Sequence, residues 1–352
     1  MKILQLIDTL HPGGAEQMAV NYANALHRLH VDSIICVTRE EGSLRKKLIE
    51  GVTYYFLQKK NTFDFKALLG LKKIIETENI SIVHVHGASW FFAVICKLTG
   101  SKFKLIWHDH YGQSEFLYKR DKKLLRFFSP YFDGIIAVNN DLKNWALKNL
   151  KCTNVIFLKN FIAPVKISET PVLKIKGNSK YNLICVANLR PQKDHITLLK
   201  MFRELKSNFD IALHLIGKNF NNSYGRELIA AFQKEENLYY YGEQEDIQEF
   251  LNQADIAILS SRSEGLPLAL LEYGAAGLPV VCAKVGQCAE VLNDNGILVA
   301  AGNEKEMTMA VSNYIRESEL MNRNSISFKK RINELYSEAA VLPEFLSFCD
   351  KL

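Results

Sequence analysis

The sequence predicts an α/β protein made of two Rossmann-like domains that face each other across a cleft. The chain has 352 residues, too many for one ordinary hydrophobic core. Short apolar runs alternate with helical stretches, which is the order of parallel βαβ units with helices on both faces of a sheet. The alternation begins again after a polar stretch at 163–179. Because ligands of such sheets bind beyond the carboxyl ends of the strands, we expect the functional residues in the loops there.

The first predicted domain covers residues 1–165. Its strands are short runs rich in Ile, Val and Leu, and segments with helical apolar spacing separate them. The predicted strands are 2–7, 33–37, 53–57, 82–86, 104–107, 134–138 and 154–158. The predicted helices are 15–29, 65–77, 90–98 and 141–150.

The second predicted domain covers residues 166–325 and repeats the pattern. Its predicted strands are 181–186, 211–216, 238–241, 256–259, 279–282 and 297–299. A helix predicted over 196–205 carries an apolar residue at every third position. A second helix is predicted over 268–276, and residues 326–352 form a helical segment at the end of the chain.

Composition and charge restrict the class of protein. Hydrophobic residues make up 48% and charged residues 23% of the chain, values typical of a soluble globular protein. Apolar runs stay well short of the roughly 20 residues that span a bilayer, so we expect a cytoplasmic protein. The seven cysteines are scattered without a C-x-x-C pair, which indicates reduced core residues. Residues 1–165 carry 23 Lys and Arg against 14 Asp and Glu, and residues 166–352 carry 21 against 24, so the basic surplus belongs to the first half.

The most informative stretch is S-S-R-S-E-G-L-P at 260–267, which leads into a predicted helix. Gly265 permits an unusual backbone angle at the turn, and Pro267 suits a first helical position. Glu264 precedes the helix, and Glu272 lies about one and a half turns inside it. A helix N-terminus attracts phosphate, and two nearby carboxylates accept hydrogen bonds from sugar hydroxyls, so the stretch suits a sugar nucleotide. The alternative is an ordinary solvated helix face.

The pattern S-x-x-E-G-x-P with a second Glu eight residues after the first resembles the E-x7-E signature of retaining glycosyltransferases of family 4, which have the GT-B fold. The resemblance runs nearly end to end and is stronger in 181–300 than in 1–165. It implies that Glu272 holds the ribose of a nucleoside diphosphate sugar and that Glu264 holds the sugar. It also implies that the segment 326–352 crosses back onto the first domain. The donor-binding residues it points to in this loop and helix are Glu264, Gly265, Leu266, Pro267 and Glu272.

Gly13 and Gly14 follow the first strand and open a helix. Glycines there let the backbone approach another molecule, and the helix N-terminus suits an anion. The alternative is a plain strand-to-helix turn. The spacing is not G-x-G-x-x-G, so it does not support a dinucleotide site. In similar glycosyltransferases this loop lies over the donor phosphates, which implies a phosphate role for its backbone N–H groups.

The loop at 187–194 follows the first strand of the second domain and carries two cations. Arg190 and Lys193 suit a diphosphate leaving group, the first through a forked pair of hydrogen bonds and the second as a point charge. Lys193 matches the family, whereas Asn188, which is included among the predicted donor-binding residues, stands where the family usually has an arginine. Arg190, two residues later, is the candidate to replace that arginine. Gly242 ends another strand and is predicted to approach the nucleotide. The alternative for both cations is an exposed loop charge.

The sequence W-H-D-H at 107–110 ends another predicted strand. The spacing puts His108 and His110 on the same side, but two histidines and one aspartate fall short of a recognised ligand set, so no metal is predicted. Relatives carry a histidine near the transferred sugar, which favours His110 for hydrogen bonding a hydroxyl and stabilising positive charge at the anomeric carbon. A buried structural imidazole is the alternative. His84 and His86 are predicted to line the same cleft.

The segment 116–128 combines Lys and Arg with bulky apolar residues. A helix of this kind rests on an anionic bilayer surface, or it packs its apolar stripe inside with the lysines in water. A basic patch also suits nucleic acid, but no DNA or RNA module accompanies it, so nucleic acid is not predicted as a partner.

Together with the resemblance, these features predict a metal-independent hexosyltransferase that needs no cofactor, and the resemblance alone implies that it retains the anomeric configuration. The predicted donor is UDP- or GDP-linked, and the predicted acceptor is a glycan, in particular a lipid-linked precursor of cell-surface polysaccharide at the inner face of the membrane. The resemblance implies front-side attack without a dedicated general base. The alternatives are a sugar-nucleotide epimerase or phosphorylase, a non-catalytic partner in a membrane glycan assembly, and a dehydrogenase, which the missing dinucleotide fingerprint disfavours.

Overall fold

The computed structural model describes residues 1–164 and 174–352. The chain forms two compact units. Unit 1 consists of Met1–Ala163 together with Glu338–Leu352, and unit 2 consists of Pro164–Ser337. The domain change predicted at residue 165 lies outside the described residues.

In its described residues, unit 1 holds a parallel sheet of order β3-β2-β1-β4-β5-β6-β7. Every strand predicted for the first half is confirmed; the central strands are buried, whereas the two edge strands are only partly buried. The chain builds outward from β1 to β3 and then returns to the other side of β1 with β4, so the topological switch point lies between β1 and β4. The strands are β1 (Lys2–Thr9), β2 (Asp32–Glu40), β3 (Thr53–Phe56), β4 (Ile82–His86), β5 (Lys104–Asp109), β6 (Gly134–Ala137) and β7 (Val155–Phe157).

Two of the helices between these strands start at side chains that satisfy a free N–H group. The Asp64 carboxylate accepts a hydrogen bond from the Ala67 N–H at 3.1 Å, and the Asn139 amide oxygen accepts one from the Leu142 N–H at 2.8 Å. The helices are α1 (Gly14–Arg28), α2 (Phe65–Thr77), α3 (Trp90–Leu98), α4 (Lys123–Phe128) and α5 (Asn140–Asn149).

The single helix predicted over 116–128 is wrong. Ser114–Lys119 form 3₁₀ turns, and α4 begins only at Lys123. The interruption lies at Arg120, whose guanidinium donates two hydrogen bonds to the Asp109 carboxylate at 2.6 and 2.9 Å. Both side chains are buried, with 8% and 3% exposure. Because this bidentate pair draws Arg120 into the unit, the backbone there is extended and the helix does not form.

In its described residues, unit 2 holds a parallel sheet of order β10-β9-β8-β11-β12-β13, with the switch point between β8 and β11. All of the strands predicted there are confirmed. The strands are β8 (Tyr181–Val186), β9 (Ile211–Ile216), β10 (Leu238–Tyr240), β11 (Ile256–Leu259), β12 (Val280–Ala283) and β13 (Ile297–Val299). The helices are α6 (His195–Leu205), α7 (Ser223–Phe232), α8 (Gln248–Leu251), α9 (Leu268–Ala276), α10 (Cys288–Leu292), α11 (Glu304–Arg316) and α12 (Ser318–Leu335).

The end of the chain divides later than the sequence predicts. Residue 326, the predicted boundary, falls inside α12, which stays in unit 2 because it packs on α9. A Cβ atom on Gly274 of α9 would lie 2.4 Å from Ile332 and 2.8 Å from Phe328, so the two helices are in close contact there. This burial fixes α12 on the second sheet.

Only α13 (Glu338–Asp350) joins unit 1. Its Phe345 ring lies 4.7 Å from the Tyr22 ring of α1, and both side chains are fully buried. Glu338 accepts two hydrogen bonds from the Arg28 guanidinium, at 3.0 and 2.5 Å. Among the residues that the structure describes, none of the helices combines the length and the apolar character needed to cross a membrane.

Candidate active site

The candidate site of unit 2 lies at the switch point of its sheet. Residues 187–194 follow β8, and residues 260–267 follow β11. β8 and β11 are paired neighbours, so their two loops leave the sheet side by side at its carboxyl edge. Loops at a switch point diverge, which opens the crevice where open α/β sheets bind ligands.

Lys193 and Glu264 meet across these two loops. The Lys193 ammonium nitrogen lies 2.5 Å from Glu264 Oε1, and the Ser261 hydroxyl donates to the same oxygen at 2.6 Å. The Glu264 side chain is 6% exposed and that of Lys193 is 22% exposed. The pair therefore holds a buried carboxylate beside a cation that still reaches solvent.

Backbone contacts fix both partners. The Ser260 hydroxyl donates to the Lys193 carbonyl at 2.9 Å. A Cβ atom on Gly286, where φ is +47°, would lie 2.2 Å from the Glu264 carbonyl oxygen, so the loop after β12 presses directly against the loop after β11. The Gln287 N–H also donates to the Gly265 carbonyl at 3.0 Å. Only a glycine at 286 permits this approach.

The helix that carries Glu272 is tied to the same edge of the sheet. Pro267 is the residue before α9 rather than its first residue, and Gly277 ends the helix at φ +79°. Tyr273 is fully buried, and its hydroxyl oxygen accepts from the Val186 N–H at 2.6 Å. Burial raises the pKa of Tyr273 well above its ordinary value, so the hydroxyl stays protonated. Glu272 is half-buried and directly precedes Tyr273 on α9.

The remaining predicted residues of unit 2 lie around this edge in different roles. The Asn188 side-chain oxygen accepts from the Lys218 N–H at 2.7 Å and so joins the loops after β8 and β9. The Arg190 guanidinium lies 4.6 Å from the centre of the Phe220 ring, which directs it toward the β9 loop. Gly242 has φ +70°, and a Cβ there would meet no described atom within 4 Å. Gly265, Leu266 and Pro267 are all buried.

In unit 1, the glycine loop lies at the corresponding switch point. Gly13 precedes α1 and Gly14 is its first residue. A Cβ on Gly13 would lie 2.3 Å from the Glu16 carboxylate, whereas one on Gly14 would meet no described atom within 4 Å. Gly14 therefore leaves open space beside the N-terminus of α1, a geometry that suits an anion.

The four predicted histidines of unit 1 come together in two hydrogen-bonded pairs. His84 Nε2 lies 3.1 Å from His108 Nδ1, and His86 Nδ1 lies 3.0 Å from His110 Nε2. The rings of His108 and His110 stack with centroids 4.0 Å apart, so one pair lies over the other. Tyr22 covers the group, with its ring 4.9 Å from that of His84. β4 and β5 bring these side chains to one face of the sheet.

Burial keeps this group neutral. It lowers the pKa of His110 to about 3 and the pKa of His84, His86 and His108 well below the ordinary value. His86 Nε2 donates to the Gln5 side-chain oxygen at 2.9 Å, so its Nδ1 accepts and His110 carries its proton on Nε2. Nitrogens of His84, His86 and His108 lie within 4.8 Å of one another.

Sequence reasoning missed a second buried charge in unit 1. The Lys59 side chain is 4% exposed, and its ammonium lies 3.6 Å from Asp8 and 4.4 Å from the centre of the Phe92 ring. Burial lowers the pKa of Lys59. The Thr38 hydroxyl also donates to Asp8. A lone lysine after an edge strand gives no sequence signal, because only the sheet order brings it beside the end of β1.

The sequence of the chain matches two family descriptions in succession. Residues 12–164 match Glycosyltransferase Family 4, and residues 169–331 match Glycosyl transferases group 1. The chain is 26% identical over 310 residues to the O-antigen biosynthesis glycosyltransferase WbnH of Escherichia coli, covering 85% of this chain and 86% of that protein. It is 23% identical over 297 residues to the N-acetyl-alpha-D-glucosaminyl L-malate synthase of Bacillus anthracis, covering 80% and 78%.

Solved structures share the fold along the whole chain. The crystal structure of Anabaena Alr3699/HepE in complex with UDP-glucose covers 100% of both chains with a TM-score of 0.83 at 15% identity. The crystal structure of TarM covers 99% of this chain and 98% of its own, with a TM-score of 0.77 at 13% identity. Two matched family regions, relatives named as glycosyltransferases and this fold agree, and the chain is therefore a glycosyltransferase of the family 4 and group 1 type.

Proposed function

We propose that this glycosyltransferase moves a sugar from a UDP- or GDP-linked donor to a lipid-linked glycan, with retention of anomeric configuration. The observation that carries the proposal is the Lys193–Glu264 pair, fixed at the switch point of unit 2. Relatives are named for O-antigen and capsular polysaccharide biosynthesis, and one similar structure holds UDP-glucose. These names support a cell-surface polysaccharide precursor as acceptor. The inner face of the membrane is part of the proposal.

In the proposed donor complex, Lys193 binds the diphosphate and Glu272 binds the ribose hydroxyls. Glu264 accepts a hydrogen bond from the sugar through Oε2, since Lys193 and Ser261 both bind its Oε1. The N–H groups at the start of α9 supply further donors to the phosphates. Arg190 lies in the same loop as Lys193 and adds a second cation when it leaves the Phe220 ring.

The proposed reaction breaks the bond between the anomeric carbon and the diphosphate oxygen, and forms one to the acceptor oxygen on the same face of the sugar. The acceptor's hydroxyl proton passes to the departing phosphate oxygen. Negative charge grows on the diphosphate, so Lys193 stabilises the transition state more than the ground state. The uncharged His110 ring forms a hydrogen bond with a hydroxyl of the transferred sugar.

Thermal melting with a panel of UDP, GDP, ADP, CMP and NAD tests the donor. A ligand at about 100 times its dissociation constant adds about 2.7 kcal/mol of stability, which gives a clear melting shift. We expect one nucleoside diphosphate to raise the melting temperature of the wild-type protein and to have no such effect on Glu272→Ala. A shift by NAD alone would support a dehydrogenase, and no shift at all would contradict a nucleotide site.

The product then tests the reaction. With the identified sugar nucleotide and a lipid-linked acceptor, we expect a new glycosidic bond with the anomeric configuration of the donor, read from proton NMR coupling constants. An inverted product would refute retention. Release of free sugar or sugar phosphate without an acceptor would favour the epimerase or phosphorylase alternative.

A further inference from the structure

Unit 1 carries an exposed aromatic surface that three distant segments build together. Phe63 and Phe65 are 68% and 76% exposed at the start of α2, and Phe127 is 68% exposed on α4. Leu69 and Leu124, on the same two helices, are 67% and 63% exposed. Side chains of this size seldom stand in water together, and such patches mark interaction sites.

Ring contacts join the segments into one surface. The Phe91 ring of α3 lies 6.1 Å from that of Phe63 and 5.4 Å from that of Phe128. Phe127 and Phe128 are 4.9 Å apart. Phe65 and Leu69 are four residues apart on α2, so they lie on one helix face. We call these seven residues the aromatic patch: Phe63, Phe65, Leu69, Phe91, Leu124, Phe127 and Phe128.

Basic side chains come from the same two stretches of chain as much of the patch, residues 60–69 and 119–128. The exposed cations of these stretches are Lys60, Lys66, Lys119, Lys122, Lys123 and Arg126. Lys122 and Arg126 also donate hydrogen bonds to Asn149. Asp121 is exposed there as well, and Asp64 is half-buried, with its carboxylate accepting hydrogen bonds from the N–H groups of Lys60 and Ala67. The surface therefore combines large apolar side chains with a surplus of positive charge.

We propose that the aromatic patch is a docking surface for an anionic lipid bilayer. Phenylalanine and leucine side chains insert at the boundary between headgroups and acyl chains, while lysines beside them bind anionic headgroups. Charge decides between occupants, because a second copy of this chain would bring the same positive surplus to the contact. The proposal extends the proposed function, since a lipid-linked acceptor is presented at such a surface.

Four of the seven residues of the aromatic patch lie outside the segment 116–128, which the sequence indicates for contact with a membrane. The segment 116–128 supplies only α4 to the patch, and its Arg120 is buried against Asp109. Phe63, Phe65 and Leu69 lie 47 or more residues before that segment in the sequence. Docking therefore depends on the packing of α2, α3 and α4, not on one amphipathic helix.

Co-sedimentation with vesicles tests the proposal without any sugar nucleotide. The vesicles contain phosphatidylcholine alone or phosphatidylcholine mixed with phosphatidylglycerol. We expect partition to the anionic vesicles to exceed that to the neutral ones by about tenfold or more. The variant Phe63→Ser/Phe65→Ser/Phe127→Ser should lose about tenfold or more of it, and Lys66→Glu/Lys123→Glu about fivefold or more.

A matched control removes three exposed apolar side chains from unit 2. Ile196→Ser/Met309→Ser/Ile326→Ser changes residues that are 49%, 60% and 71% exposed. We expect it to bind vesicles like wild type. All variants should keep the nucleotide-induced melting shift, so a failed donor site and a failed docking surface give different results. Equal binding to both vesicles, no binding by wild type, undiminished binding by the aromatic variant, or a dimer that the aromatic variant dissolves would overturn the proposal.

Discussion

The Lys193–Glu264 pair makes an asymmetric prediction for stability. Glu264 is the buried partner, with 6% of its side chain exposed, whereas 22% of Lys193 is exposed. Lys193→Ala leaves a buried carboxylate without its cation, although the Ser261 hydroxyl still donates to Oε1. Glu264→Gln leaves an ammonium that can turn toward water, and the new amide can still accept from Ser261. The first change should therefore destabilise unit 2 more than the second.

The exposed fractions of the two side chains set the size of the expected loss of stability. Removing one partner of a fully buried ion pair costs about 3–5 kcal/mol. Since water reaches Lys193, we expect about 2–3 kcal/mol for Lys193→Ala and about 1 kcal/mol or less for Glu264→Gln. Both variants should lose transferase activity by about 10²–10³ in kcat, because both remove a group that acts on the reacting sugar diphosphate.

Urea unfolding followed by far-UV circular dichroism measures the two stabilities. Lys200→Ala, on the exposed face of α6, is the matched lysine control and should change neither stability nor kcat. The double variant Lys193→Met/Glu264→Gln should recover stability relative to Lys193→Ala without recovering activity. Equal destabilisation by Lys193→Ala and Glu264→Gln would show that the carboxylate is not held by its cation, and the reasoning would be refuted.

Three further predictions concern buried residues that stabilise the two units: the histidines of unit 1, Gly286 and Arg120. The buried histidines of unit 1 have pKa values below the ordinary 6.5, so the unfolded chain binds protons at a higher pH than the folded chain does. The free energy of unfolding therefore falls as the pH drops from about 6.5 toward 3. The expected loss is about 1.4 kcal/mol per pH unit for each histidine that titrates. All three tryptophans lie in unit 1, so their fluorescence in urea titrations at several pH values reports this loss, and a flat profile down to pH 5 would contradict it. Gly286→Ala should lower the free energy of unfolding by about 2 kcal/mol or more and reduce kcat, because the added methyl group clashes with Glu264 at a position where φ is already strained. The control Gly87→Ala, at φ +60° and with no described atom within 4 Å of its Cβ, should lower it by only about 1–2 kcal/mol. Equal losses in calorimetry would argue against the clash. Arg120→Met should destabilise unit 1 by about 3–5 kcal/mol, because it leaves the buried Asp109 carboxylate without its cation. Arg120→Met/Asp109→Asn should destabilise it by much less. If the double variant is as unstable as the single one in a urea titration, the unpaired Asp109 is not the cause.

The sequence predicted the strands well because a parallel strand buried on both faces reads as a short apolar run. The helix at 268–276 was also predictable, since Pro267 and Gly277 mark its two ends with backbone conformations of their own. The break at Arg120 was not, because it depends on a partner eleven residues away that only the folded β5 presents. The aromatic patch was likewise hidden, since α2, α3 and α4 become neighbours only through the sheet order.

The histidine pairs narrow what His110 can do in the proposed reaction. Its Nε2 proton is engaged by His86, which Gln5 in turn holds in one tautomer. A pKa of about 3 keeps the ring uncharged near neutral pH. An uncharged imidazole with its proton engaged is a poor general acid, and protonation of its other nitrogen would place a buried charge beside three further imidazoles. It remains able to offer a fixed dipole and a hydrogen bond. That restriction agrees with the proposed route, in which the acceptor's proton passes directly to the departing phosphate and no side chain has to carry it.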